Sequence, residues 1–380
     1  MRLPPARALL LCLLPLSACG DSTEDTQATD AASDSDSVDA TAGPSETGAS
    51  ETGSSDATTA GSDSDGSETD ATTEEPQAIP TDEGLRVAFF GDNGLGDDSL
   101  ATLELVASEG ADFLIILGDF DYLSLPAFWE MQLTEGLGEG FPLFAAVGNH
   151  DVDAWPEYQA NLEARYAAIS GAACDGDLGV QSSCLYRGLH FLLSGVGTLG
   201  SGHESWIADE LAASDAIWKV CAWHKNQNDM QAGGKGDEVG WGAYKACQDG
   251  GAIVATGHEH SYSRTQSLTD LGNVAGGHGA TGEHESLMIR PGETFVFVSG
   301  MGGTGIRDYH ADEHDDDTWW STIYTEDHYR KHGQLISDFS AEVGVTFIDF
   351  YVDGDPYKAR GYFKNVDGLI IDEWEMHAAP

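Results

Sequence analysis

The sequence predicts an α/β fold, and three observations carry that prediction. Apolar runs of strand length recur at 86–90, 113–117, 143–147, 191–193, 218–223, 252–255 and 295–299. Helix-like stretches at 99–108, 157–169, 204–213 and 241–249 lie between most of them, the alternation that builds a parallel sheet. The end of the chain differs. Residues 345–352, 359–364 and 369–376 are rich in β-branched and aromatic side chains with no helix between them, so the chain closes in antiparallel strands. No internal repeat is present.

The elements begin only after a long preamble. Arg2 and Arg7 flank the start of an apolar stretch too short to span a bilayer, and it ends in Leu16-Ser17-Ala18-Cys19. That ending resembles the bacterial lipoprotein signal. The resemblance implies removal of residues 1–18, lipidation of Cys19, and export to the cell envelope, on its periplasmic face or at the cell surface. An ordinary secretory signal with an incidental cysteine is the alternative. Residues 19–80 hold Ser, Thr, Asp, Ala, Gly and Glu with no aromatic residue and no Lys or Arg. Such a segment buries too little apolar surface to offset its chain entropy, so a disordered acidic linker is expected there.

The folded part is expected over 81–380. From Thr81 onward there are 49 acidic and 15 basic residues, a balance of −34 within a whole-chain charge of −48. A surface this negative argues against binding nucleic-acid backbone, and it leaves the lipid anchor as the only membrane contact. It favours multivalent metal ions as partners. Four cysteines remain beyond the signal, and an even number in an exported chain suggests disulfides. Cys174 with Cys184 would close a short Gly- and Ser-rich loop, leaving Cys221 with Cys247. Zinc-ligand spacing is absent.

The chemistry sits at the strand ends. The run 113–117, Phe-Leu-Ile-Ile-Leu, is apolar throughout, as a strand covered on both faces must be. Gly118 ends it, and Asp119, Asp121 and Tyr122 follow. Four other strands stop the same way, in Gly91-Asp92-Asn93-Gly94, Gly148-Asn149-His150-Asp151, Trp223-His224-Lys225 and Gly257-His258-Glu259-His260. Ligands of open α/β sheets bind at such carboxyl ends. Asp, Asn, His and Tyr without a thiolate suit iron, zinc or manganese. His258 and His260 stand two apart, so on an extended segment both would point to one face. Their separation of roughly 7 Å suits two metals about 3.5–4 Å apart.

The five clusters, in this order, resemble the calcineurin-like metallophosphoesterases, and within them the purple acid phosphatases. The resemblance runs from Gly91 to His260 and implies a sandwich of two sheets flanked by helices. It also implies two metal ions, iron with a divalent iron, zinc or manganese. Asp92, Asp119, Tyr122 and His260 would hold the first, and Asp119, Asn149, His224 and His258 the second, with Asp119 bridging. Most of the superfamily carries a histidine where this chain has Gly94, and Tyr122 stands where the tyrosine branch places its replacement ligand. An aromatic residue packed over a strand end is the plainer reading of Tyr122.

The implied reaction is hydrolysis of a small phosphoric monoester by hydroxide held at the metals, with His150 as acid for the leaving group. For His150 a purely orienting role is the alternative. Phosphodiester or nucleotide hydrolysis is the second reading of the site. A non-catalytic surface lipoprotein that uses the fold as a binding module is a reading from another class. The branch also carries histidines nine or ten residues after the equivalent of His224, where this chain has Gly233 and Gly234. Lys225, Gln227, Asn228 or Lys235 would then meet phosphate, Lys225 and Asn228 being the first candidates. His190, His203, His278, His284, His310, His314 and His328 match no motif. The acidic run 311–317 is expected to be a solvated loop, with a calcium site as its alternative.

Overall fold

The computed structural model describes residues 84–379. The lipoprotein signal with Cys19 and the acidic linker lie outside the described residues. Two sheets form the centre. The seven-stranded sheet runs, in spatial order, Ser286–Ile289, Ile370–Ala378, Lys358–Asn365, Gly344–Phe350, Leu85–Phe90, Phe113–Leu117 and Leu143–Ala146. Leu85–Phe90 is parallel to Phe113–Leu117 and antiparallel to Gly344–Phe350, so the closing strands extend the same sheet that the first strands begin. In the ten-stranded sheet, Leu189–Ser194, Lys219–Trp223, Ile253–Thr256 and Val296–Ser299 form a parallel centre.

Strand alternation sorts the apolar residues into three layers. Val87, Phe89, Ile115 and Leu117 face Val220, Ala222, Ala255 and Phe297 between the sheets. Phe89 meets Phe297 edge-on with ring centres 5.5 Å apart, the favoured arrangement of aromatic pairs. Ala88, Phe90, Leu114 and Ile116 point the other way, against Val106, Trp129 and Tyr158 of three helices. Trp223, Val254 and Val296 cover the outer face of the larger sheet together with Ile207, Leu211 and Tyr244. The result is the expected sandwich, helices on each outside. A buried ion pair joins the two sheets: Arg264 Nε lies 2.6 Å from Asp372 Oδ2, and Tyr262 donates to the same oxygen at 2.8 Å. Burial alone would raise the Asp372 carboxyl, but Arg264 holds it below its ordinary value.

Both disulfides form as paired above. Cys174–Cys184 crosses the hairpin Ala173–Asp177 and Gln181–Tyr186, and Cys221–Cys247 ties the larger sheet to the helix Gly242–Asp249. Three expectations need correction. The helix Pro126–Leu137 and that hairpin are absent from the sequence reading. Residues 258–260 are bent, with His258 at φ +70°, so the two histidines diverge because the chain turns rather than because a strand spaces them. The run 311–317 begins with a helical turn, Ala311–His314, and His314 is buried, with Nε2 2.8 Å from the Gly233 carbonyl. Among the described residues, His310, Asp312 and Glu313 form the one cluster of metal-capable side chains at its surface.

Candidate metal centre

The parallel strands of both sheets deliver their carboxyl ends to one place. After Leu85–Phe90 and Phe113–Leu117 end, their ladder continues: the amides of Asp92, Asn93 and Gly94 donate to the carbonyls of Gly118, Asp119 and Phe120 at 3.0–3.1 Å. That sets Asp92 beside Asp119. Asp151 closes the third cluster onto the second, accepting from the amides of Gly148, Asp119 and Phe120 at 2.7–2.9 Å. The two sheets meet where His224 Nδ1 donates to the Leu117 carbonyl at 2.8 Å. Close approach explains two glycines. A Cβ at position 118 would lie 2.7 Å from the His224 ring, and one at 148 would run into Asp119. Asp92, Asp119, Tyr122 and His258 all sit at positive φ, between 54° and 70°. Non-glycine residues adopt that region at a cost, and such positions concentrate at functional sites.

Seven side chains predicted as ligands converge here in two groups. In the first, Tyr122 donates to Asp92 Oδ1 at 2.8 Å, and His260 Nε2 lies 3.0 Å from the Tyr122 oxygen and 3.3 Å from Asp92 Oδ1. In the second, His224 Nε2 lies 3.0 Å from Asn149 Oδ1, 3.0 Å from His258 Nδ1 and 3.2 Å from Asp119 Oδ2. Each ring nitrogen turned away from the centre already has a partner. His260 Nδ1 faces the Gly305 carbonyl at 2.9 Å, and His258 Nε2 faces Glu238 Oε2 at 2.6 Å. With those outward nitrogens as donors, His258 and His260 turn their inward nitrogens to the centre as lone pairs, the tautomers metal binding requires.

The donor set fits metal ions. Donor-to-donor spacings near 3 Å are the polyhedron edges expected for ligand bonds of about 2.0–2.2 Å. Electrostatics agree. Burial would lower His224, but the charge and hydrogen bond of Asp119 push it up to about 9, so without a metal a proton on the inward Nε2 occupies the place of a cation, and a metal ion bound there would displace it. Burial holds His258 down to about 4 in spite of Glu238, which keeps the ring neutral. Burial would raise Asp92, yet its hydrogen bond to His260 and the nearby histidines hold it well below the carboxylate range. The Tyr122 phenol is raised by burial and by Asp92 and Asp119, and a bound cation would reverse that.

Tyr122 aims its hydroxyl at the donors rather than merely packing. Gly94 leaves no alternative, because a Cβ there would already lie 2.9 Å from the Thr304 hydroxyl. His150 is exposed, its amide donates to Asp119 Oδ1 at 2.9 Å, and its ring lies 4.6 Å from the Tyr122 ring. No hydrogen bond holds the His150 ring among the described residues. Lys225 is tied to Glu238 at 2.5 Å, one residue removed from His258. Asn228 is held elsewhere: its amide donates to Asp229 and accepts from Gln227.

Glu238 and Arg307 went unnoticed in the sequence because each acts across a long stretch of chain with no local pattern, whereas Asp151 stands in the third cluster and only its role there was missed. Glu238 fixes the orientation of His258 while Lys225 steadies Glu238. Glu238→Ala is expected to weaken the metal at the second group by about 10–100-fold, read by metal titration, with the first group retaining its ion. Unchanged affinity at both groups would show that the carboxylate does not orient His258.

Residues 85–262 match the family model described as calcineurin-like phosphoesterase. Over 206 residues the chain is 26% identical to "Probable purple acid phosphatase 20" of Arabidopsis thaliana, covering 49% of this chain and 47% of that protein. The structure of a purple acid phosphatase from yellow lupin (Lupinus luteus) seeds superposes with a TM-score of 0.57 at 18% identity, over 79% of this chain and 55% of the lupin chain. The chain thus spans about half the length of each relative. The strand-end clusters, the convergent donors and these similarities agree: residues 85–262 form a calcineurin-like phosphoesterase domain, and the chain resembles the purple acid phosphatases.

Proposed function

We propose that this chain hydrolyses phosphoric monoesters using two metal ions. Asp92, Tyr122 and His260 would hold one, Asn149, His224 and His258 the other, and Asp119 both. The observation that carries the reading is the pair of adjacent donor groups, each with its outward nitrogens already hydrogen-bonded. When bound, the metals supply positive charge for the phosphoryl oxygens and lower the pKa of the attacking water. The protein's part is positioning. Asp151 fixes the loop that carries Asp119, and Glu238 and the Gly305 carbonyl fix the rings of His258 and His260. His150, exposed and without a hydrogen-bond partner for its ring, is free to deliver a proton to the departing alkoxide. Metal analysis of purified protein, with turnover of aryl mono- and diesters, tests this. Tight metal and monoester turnover support it; diester turnover alone would favour the second reading. Absence of both would leave a binding module.

A tyrosine ligand bears on which metal is used. A phenolate is a hard, strongly donating ligand, and it favours trivalent iron over a divalent ion. Iron at the first group would give a visible charge-transfer band, and Tyr122→Phe is expected to bleach it and weaken that metal while the second stays bound. A colourless wild type fully active with zinc or manganese alone would overturn the iron assignment and leave the hydrolase reading intact.

Attachment to the envelope through Cys19 belongs to the same proposal. Cys19→Ser should release the protein from the membrane fraction on cell lysis. Fractionation identical to wild type would end the lipoprotein reading.

A further inference from the structure

Two margins of the metal centre differ. Beyond His260 the segment 305–310 packs over it. The Arg307 amide donates to the His260 carbonyl at 3.0 Å, its guanidinium pairs with buried Glu259 at 3.4 Å, and the His310 amide donates to the Ala232 carbonyl at 3.2 Å. A Cβ at 234 would run into the His310 ring. Beyond Tyr122 and His150 the rim is apolar and open. Leu123, Leu125, Phe128, Met131 and Val152 are five of the nine large apolar side chains exposed among the described residues, and all fall between 123 and 152. Singly, such residues are ordinary; a concentration of them marks an interaction site. The run 122–129, Tyr-Leu-Ser-Leu-Pro-Ala-Phe-Trp, carries no charged side chain in a chain of net charge −48.

The backbone holds these side chains outward. Buried Asp121 accepts from the amides of Leu123 at 2.8 Å and Leu125 at 3.0 Å and from the Tyr158 hydroxyl at 2.5 Å. Tyr122 and Ser124 take φ of +60° and +54°, a costly conformation kept where the surroundings enforce it. The Leu125 carbonyl accepts from the amides of Phe128 and Trp129 at 2.9 and 3.1 Å, which starts the helix. Trp129 turns inward and stacks on Phe120, ring centres 4.4 Å apart. Phe128 and Met131, three positions apart, share the outward face.

This rim begins at the donors themselves. Leu123 follows Tyr122 directly, the Tyr122 ring lies 4.6 Å from the His150 ring, and Val152 stands two residues past His150. We propose that the rim receives the leaving group, and that the substrate is an amphiphilic phosphoric monoester, a phosphate carried on an apolar alkyl or aryl group rather than on a polar alcohol. The inference rests on the hydrolase reading above. The donor groups and their metals take the charged phosphoryl end. His150 meets the departing oxygen, and the carbon chain beyond that oxygen lies over Leu123 and Phe128, where removal of apolar surface from water supplies the affinity.

The test titrates the metal-loaded full-length protein calorimetrically with methyl-, butyl- and hexylphosphonate, whose P–C bond the reaction does not cleave. The dissociation constant is expected to fall about two- to four-fold per added methylene. Leu123→Ser and Phe128→Ser, both at exposed positions, flatten that dependence while metal content and the methylphosphonate constant stay as in wild type. The preference in kcat/KM for hexyl phosphate over glycerol phosphate shrinks in the same variants. A constant independent of chain length in wild type, or a dependence equally steep in both variants, overturns the proposal. A flat series in which Phe128→Ser instead weakens binding to phosphatidylcholine vesicles, or abolishes a concentration-dependent dimer, assigns the rim to a membrane or a second copy and overturns it equally. A wild type that turns over no monoester sinks the hydrolase reading, and the phosphonate series still decides the rim.

Discussion

Asp119→Asn is expected to lower the occupancy of both metals together and to cut turnover on the order of 10²–10³-fold or more. The substitution changes charge and almost nothing else. Asparagine tolerates the left-handed backbone that Asp119 adopts at φ +54° better than most residues, and its carbonyl oxygen can still accept the His150 amide. What disappears is the negative charge 3.2 Å from His224 Nε2 that sustains a cation in the second group, together with the proposed bridge to the first. Elemental analysis after gel filtration reads the result. Loss of one metal with the other retained would confine Asp119 to a single group, and the bridging assignment would fall.

His150→Ala is expected to leave both metals in place and to lower kcat by about 10²–10⁴-fold for substrates with poor leaving groups. The loss should be much smaller for 4-nitrophenyl phosphate, whose leaving group departs without a proton. His150 touches the donor groups only through its amide and a tilted ring contact with Tyr122, and alanine keeps the amide. A steepened dependence of rate on leaving-group pKa is the signature of a lost acid. Metal loss in this variant, or an equal decrease with every leaving group, would assign His150 an orienting role instead.

The strand-end chemistry was legible because it is local. Each ligand stands within six residues of an apolar run, and Gly91, Gly118, Gly148 and Gly257 mark where the runs stop. The core strands were legible for the same reason. The helix Pro126–Leu137 was not, since Phe128 and Met131 face outward, 58% and 66% exposed, while Gly136 is buried, which blurs the apolar stripe. The hairpin around Cys174 and Cys184 is built of Gly, Ser and Asp, which read as loop. Glu238 and Arg307 were invisible for a different reason. Fourteen residues separate Glu238 from His224, and Arg307 comes in from another part of the chain. Their meaning exists only in three dimensions.

The packing of His310 onto Gly234 has a historical corollary. A Cβ at 234 would lie 2.4 Å from the imidazole of His310, so a side chain there requires that exposed ring to turn away, and the two positions are coupled. A histidine placed at 234 in this chain would displace His310 and disturb the segment that carries Arg307. Removing His310 alone would leave a glycine with no side chain to take its place. Sequences that carry a side chain at 234 are therefore expected to differ at 310 as well, the two changes occurring together.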